Sequence, residues 1–201
     1  LTAGTIGFTG YFPEAAAYDD LNERWVVGDA EANHFITIKG TKIEHVDLPD
    51  GVKGTVGVYY SNNMVYAAGS DWMSIKTDQD TTDAFLVQWN VTGTGGPEKI
   101  DLSVAYQGSV TRSMPNDLVV LENGNVYVTD SQTGDIIEVR SSDAKPSVFL
   151  EKHSAWTGFN FPGTKSYVIT NGIEAFKGDD GKQYLLVGIS GQANSLWRVR
   201  M

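Results

Sequence analysis

The chain has 201 residues, one domain's length, with 15 Lys and Arg against 25 Asp and Glu for a net charge of −10. A surface this acidic repels phosphate backbones, and no apolar run approaches the roughly 20 residues of a membrane helix, so neither nucleic acid nor a bilayer is an expected partner. With no cysteine, disulfides, thiolate metal sites and cysteine nucleophiles are excluded; 41% hydrophobic and 20% charged residues describe a globular chain.

Short stretches rich in Val, Ile, Tyr, Trp and Phe, bounded by Gly, Asn or Asp, follow one another along the chain. This is the vocabulary of strands and tight turns. The first unit reads as strands at 15–18, 24–29, 35–38 and 43–48. A second follows at 55–60, 65–70, 85–89 and 99–102, with 71–83 as an inserted loop. The third reads 117–121, 126–131, 136–139 and 147–150, and the fourth 172–176, 184–189 and 196–199. Turns such as Glu122-Asn123-Gly124-Asn125 and Gly178-Asp179-Asp180-Gly181 supply the positive-φ residues that hairpins need. A meander of this length, repeated, is the pattern of a β-propeller blade. The expected fold is all-β, with four blades at about 11–51, 52–102, 114–150 and 169–201.

The entry to the first strand of three units carries residues of chemical interest. These are Phe12-Pro13-Glu14-Ala15, Ser113-Met114-Pro115-Asn116-Asp117-Leu118 and Asn171-Gly172-Ile173-Glu174. The middle motif runs on into Gly124-Asn125-Val126-Tyr127-Val128-Thr129-Asp130-Ser131. In these strings the chain resembles the regucalcin/gluconolactonase family of six-bladed propellers, with paraoxonases and strictosidine synthases as more distant relatives.

The resemblance implies a calcium-dependent hydrolase of lactones or related esters. Glu14, Asn116 and Asn171 would hold one Ca²⁺ at the mouth of the channel, and Asn116 would also steady the substrate oxygen. One carboxylate and two amide carbonyls are hard oxygen donors of low total charge, which suit Ca²⁺ and hold Zn²⁺ poorly. The family's further ligand, a fifth-blade Asp favoured as general base, has no counterpart before Met201, so the catalytic residue stays unassigned. The second unit, at Gly54-Thr55-Val56-Gly57, offers no ligand. The resemblance also implies a six-bladed ring of roughly 300 residues. Its remaining blades would come from further residues or from another chain. The competing reading is a non-catalytic secreted propeller that binds a small ligand or a protein on one face. The sequon Asn90-Val91-Thr92 is compatible with an extracellular location.

Other groups read more plainly. Asp78, Asp80 and Asp83 lack the bend glycine and terminal Glu of a calcium loop and are expected to be a solvated acidic loop. His34, His45 and His153 have no metal-binding spacing and read as loop or surface histidines. Trp25, Trp89 and Trp197 are expected to pack between blades, with Trp72 and Trp156 as candidates for a channel mouth. No nucleophile elbow, phosphate loop or dinucleotide fingerprint occurs.

Overall fold

A computed structural model describes residues 11–71, 74, 75, 77, 83–110, 112–160, 167–191 and 194–201; Trp72, Asp78 and Asp80 lie outside them. Alternating apolar residues form antiparallel meanders, as the turn-bounded runs require. The first sheet orders β1 (Pro13–Asp19), β2 (Arg24–Asp29), β3 (His34–Lys39) and β4 (Lys42–Asp47). The second orders β5 (Gly57–Ser61), β6 (Met64–Ser70), β7 (Ala84–Asn90) and β8 (Glu98–Asp101). A 3₁₀ turn, Ser103–Tyr106, leads to the third: β9 (Pro115–Val120), β10 (Val126–Asp130), β11 (Ile136–Val139) and β12 (Pro146–Leu150). A small hairpin of β13 (Phe159–Asn160) and β14 (Tyr167–Val168), which the sequence pattern did not announce, precedes the last sheet. That sheet orders β15 (Thr170–Lys177), β16 (Gln183–Ile189) and β17 (Ser195–Arg200).

Period-two alternation gives each meander two apolar faces, and consecutive sheets bury them against each other. Val26, Phe35 and Leu48 of the first sheet meet Val58, Val65, Phe85 and Trp89 of the second. Tyr66, Leu86 and Leu102 then meet Leu118, Val128 and Ile137. Val119, Tyr127 and Ile136 meet Ile173, Leu185 and Val187. The first strands therefore lie in succession, β1 against β5, β5 against β9 and β9 against β15.

Two tryptophans differ from expectation. Trp25 pairs across from Tyr18 on the face of the first sheet away from the second, and it is half exposed, so it packs no blade interface among the described residues. Trp156 is buried in the cluster between the third and fourth sheets rather than at a channel mouth. Its loop turns inward through the Trp156 N–H bond to the His153 carbonyl. Trp89 is buried between sheets as expected.

Buried carboxylates fix the strand ends. Asp130, wholly buried at the end of β10, accepts from Tyr106 Oη at 2.8 Å, from Ser113 Oγ, and from the Met114, Gln132 and Thr133 amides at 2.9, 3.0 and 3.2 Å. It ties the approach to β9, the β10–β11 turn and the 3₁₀ turn to one point. In the β1–β2 turn, buried Asp19 accepts from Arg24 Nε at 2.9 Å, Asn22 Nδ2 at 2.9 Å and the Asn22 amide at 3.1 Å. Burial pushes this carboxyl up, but the bonds from Asn22 and Arg24 outweigh it and hold it below the usual carboxylate range.

Two outcomes follow from these anchors. Asp130→Ala strands several buried donors and is expected to cost at least about 3 kcal/mol in urea denaturation. For Asp19 the unfolded chain binds the proton more readily than the folded one. Its stabilisation is thus full above about pH 4 and lost as pH falls through the depressed folded value. Asp19→Asn should flatten that acid limb in denaturation midpoints measured from pH 2 to 6.

Candidate functional site

The three strands that carry Glu14, Asn116 and Asn171 share a local irregularity. In β1, Pro13 faces Asp29 and Ala16 faces Val27, so Glu14 and Ala15 together oppose Gly28. In β9, Pro115 faces Asp130 and Leu118 faces Val128, which sets Asn116 and Asp117 against Thr129. In β15, Thr170 faces Ile189 and Ile173 faces Val187, which sets Asn171 and Gly172 against Gly188. Two residues opposing one is a β-bulge, which breaks the pleat and re-aims a side chain. The first strand of the second sheet pairs without a shift from Gly57 to Ser61.

Glu14, Asn116 and Asn171 line one cavity of about 170 Å³, together with Ala30, Val56, Met114, Phe159 and Val168. Each sheet contributes to the wall at the entry to its first strand: a carboxylate from the first, Val56 from the second, an amide from the third and another from the fourth. The hairpin supplies Phe159 and Val168. Sequence reasoning missed both, because no repeat spacing marks that insertion.

The inner strands approach at backbone distance. A Cβ on Gly57 would stand 2.5 Å from the Asn116 carbonyl oxygen and 2.8 Å from the Asp117 Cα, so only glycine admits this contact. Between β9 and β15, Asp117 Oδ2 accepts from the Ile173 amide at 3.0 Å and Oδ1 from the Leu118 amide at 2.9 Å. Thr129 Oγ1 donates to the Asn171 carbonyl at 2.6 Å. Burial pushes the Asp117 carboxyl up; the Ile173 and Leu118 amides pull it back, and the nearby Glu174 adds to the rise. Asn171 Nδ2 reaches Ser190 Oγ at 3.4 Å.

Elsewhere, the histidines are not all isolated. His34 and His45 stack at 4.2 Å between ring centroids, and His45 Nε2 lies 3.2 Å from Tyr11 Oη. Strand pairing of β3 with β4 brings them together, which their sequence spacing does not reveal. Among the described residues no group of three His, Asp or Glu side chains is placed to hold a metal ion. Asp83 lies 3.9 Å from Lys53 Nζ, on the surface.

No protein-family model and no curated protein matches the chain. Solved structures do. An inactive form of virginiamycin B lyase from Staphylococcus aureus, with quinupristin, matches at TM-score 0.58 and 14% identity, over 98% of this chain and 58% of that one. A candidate gluconolactonase matches at TM-score 0.57 and 12% identity, over 94% of this chain and 63% of that one. The PQQ-bound aldose sugar dehydrogenase from Streptomyces coelicolor matches at TM-score 0.57 and 14% identity, over 98% and 62%. The chain spans less than two thirds of each of these structures. At such identity the likeness bears on the fold, a propeller-type arrangement of antiparallel sheets.

The glycine contact gives a direct check. Gly57→Ala must displace the β9 backbone at Asn116, with an expected loss of about 2 kcal/mol in thermal denaturation, in the range of overpacked interiors.

Proposed function

We propose that this chain is the metal-binding part of a calcium-dependent hydrolase of lactones or related esters, built on a six-bladed propeller. The observation that carries this reading is the convergence of Glu14, Asn116 and Asn171, from three separate sheets, on one small cavity. The donors suit the ion: one carboxylate and two amide oxygens are hard ligands, and Ca²⁺ completes a shell of six to eight with water or substrate oxygens. When bound, Ca²⁺ would polarise an ester carbonyl and favour the developing oxyanion.

The chain's own residues set the rest. Asn116 steadies the substrate oxygen, and the walls of Val56, Met114 and Val168 present an apolar surface to the remainder of an ester. Among the described residues Glu14 is the one carboxylate lining this cavity, and a ligand to a cation makes a poor base at the same time. A base must therefore come from the further blades that the six-bladed reading requires. On the face of the first sheet away from the second, Tyr18, Trp25 and Ile43 are exposed while Val27, Ile36 and Ile38 are buried with Tyr11 against them, and the exposed part offers apolar area for a continuation.

That one carboxylate lines the cavity among the described residues also fits another reading, a non-catalytic secreted propeller that binds a small ligand or a protein partner. Asn90, exposed beside Thr92 with Thr92 Oγ1 donating to Asn90 Oδ1 at 2.7 Å, fits an extracellular location in either case.

Calcium titration by calorimetry separates these readings from their failure. The native chain is expected to bind Ca²⁺, and Glu14→Gln to weaken it by about tenfold or more. Lactone hydrolysis by the complete propeller, abolished by a chelator and restored by Ca²⁺, favours the hydrolase, while Ca²⁺ binding without turnover in that complete propeller favours the ligand-binding protein. A native chain with no affinity for Ca²⁺ overturns the metal reading.

A further inference from the structure

We propose that Asp117 is a positioning residue: it locks the bulge of β15 onto the bulge of β9 and so holds the Asn171 side chain at the cavity beside Asn116. This rests on the reading above only in treating Asn116 and Asn171 as the functional pair.

The three bulges are alike in their first residue, which lines the cavity, and unlike in their second. Ala15 and Gly172 bring no polar group, whereas Asp117 brings a carboxylate. That carboxylate spans two strands, with Oδ1 on the Leu118 amide of its own strand and Oδ2 on the Ile173 amide of the next. The residue opposite the β9 bulge, Thr129, crosses the same gap in the other direction. Its Oγ1 donates to the Asn171 carbonyl at 2.6 Å and accepts from the Asp117 amide at 3.2 Å. The two-residue step that turns Asn171 toward the cavity is thus pinned at both ends, at its first carbonyl and at the amide that follows it.

Gly172 completes the fit. A Cβ there would lie 3.6 Å from Asp117 Oδ2, so the carboxylate sits directly against the bulge backbone it restrains. A bulge leaves its extra residue outside the regular ladder, and without a lock Asn171 would sample other orientations. Two amide donors also explain the residue type. A carboxylate offers acceptors to both, whereas an asparagine keeps one acceptor oxygen.

The test uses the full chain, labelled for NMR and first free of metal, with Asp117→Ala, Asp117→Asn and Thr129→Val. Two readouts are followed: hydrogen exchange of the Ile173 amide relative to Leu185 and Val187, and the side-chain amide resonances of Asn171. In Asp117→Ala the Ile173 amide is expected to exchange at least about tenfold faster than in the native chain, with the core amides unchanged. The Asn171 side-chain signals should move toward those of a freely rotating amide. Asp117→Asn should fall between the two, and Thr129→Val should move Asn171 with a smaller change at Ile173. Should Asp117→Ala fail to fold, Asp117→Asn and Thr129→Val are judged by the same two readouts.

Unchanged exchange at Ile173 overturns the lock. Faster exchange at Ile173 with unaltered Asn171 signals makes Asp117 merely structural and overturns the positioning role. Calcium titration of the same variants then separates this proposal from the functional one. Loss of affinity in parallel with the Asn171 shift supports both. A native chain that binds no Ca²⁺ sinks the hydrolase reading, while the metal-free NMR result still decides the lock.

Discussion

Each meander in this protein carries apolar side chains on both faces, and a sheet cannot hide either face by itself. Burial is achieved by stacking one sheet on the next, and successive clusters run from Phe35 and Trp89 through Leu86 and Leu118 to Tyr127 and Leu185. The stack is thick where large side chains sit and thin at the first strands, where Ala15, Ala17 and Gly57 lie. Thin packing lets the first strands approach at backbone distance, as Gly57 does against Asn116 and Asp117. The cavity exists because of that convergence: equivalent positions at the entries of four sheets are brought around one small space.

The ends of the second strands show a further solution, shared by two of the four sheets. Asp29 and Asp130 close β2 and β10 as buried carboxylates, Asp29 accepting from the Glu31 amide at 2.9 Å and the Phe12 amide at 3.3 Å. In the second sheet β6 ends in Ser70 instead, whose Oγ is buried with no hydrogen-bond partner among the described residues. The next residue, Asp71, takes over the anchoring and accepts from Lys53 Nζ at 2.6 Å and Ser74 Oγ at 2.8 Å. A buried carboxylate that gathers several amides costs little in such a place, because the donors would otherwise be left without acceptors. The second sheet is also the one that presents Val56 rather than a polar ligand to the cavity, and its first strand pairs in register from Gly57 to Ser61.

The solved structures that share this arrangement are named as a lyase, a candidate gluconolactonase and a dehydrogenase, so the arrangement leaves the chemistry open. In this chain the strand entries bring one carboxylate and two amides to the cavity, the hard oxygen donors on which the proposed cation site rests. The apolar remainder of the wall shapes what can approach it.

The strand plan was legible because its signals are local. Alternation along 126–131 or 184–189, turn residues such as Gly124 and Gly181 at positive φ, and the recurrence of the unit each depend on neighbours in the chain. The entry positions Glu14, Asn116 and Asn171 could be named in sequence because the family resemblance points to them and the repeat gives them equivalent places. Their meeting in one cavity, the bulges that aim them, and the walls contributed by Phe159 and Val168 depend on how separate sheets stack. So do the exposure of Trp25, the burial of Trp156 and the stacking of His34 on His45. Sequence by itself determined the strands of the repeated meanders, though not the β13–β14 hairpin, and which of their faces are apolar, since both follow from φ/ψ preference and period-two alternation. Only the tertiary structure decided which strands touch, because contact between residues as far apart as Asp117 and Ile173 is set by the packing of whole faces rather than by any preference of the chain between them.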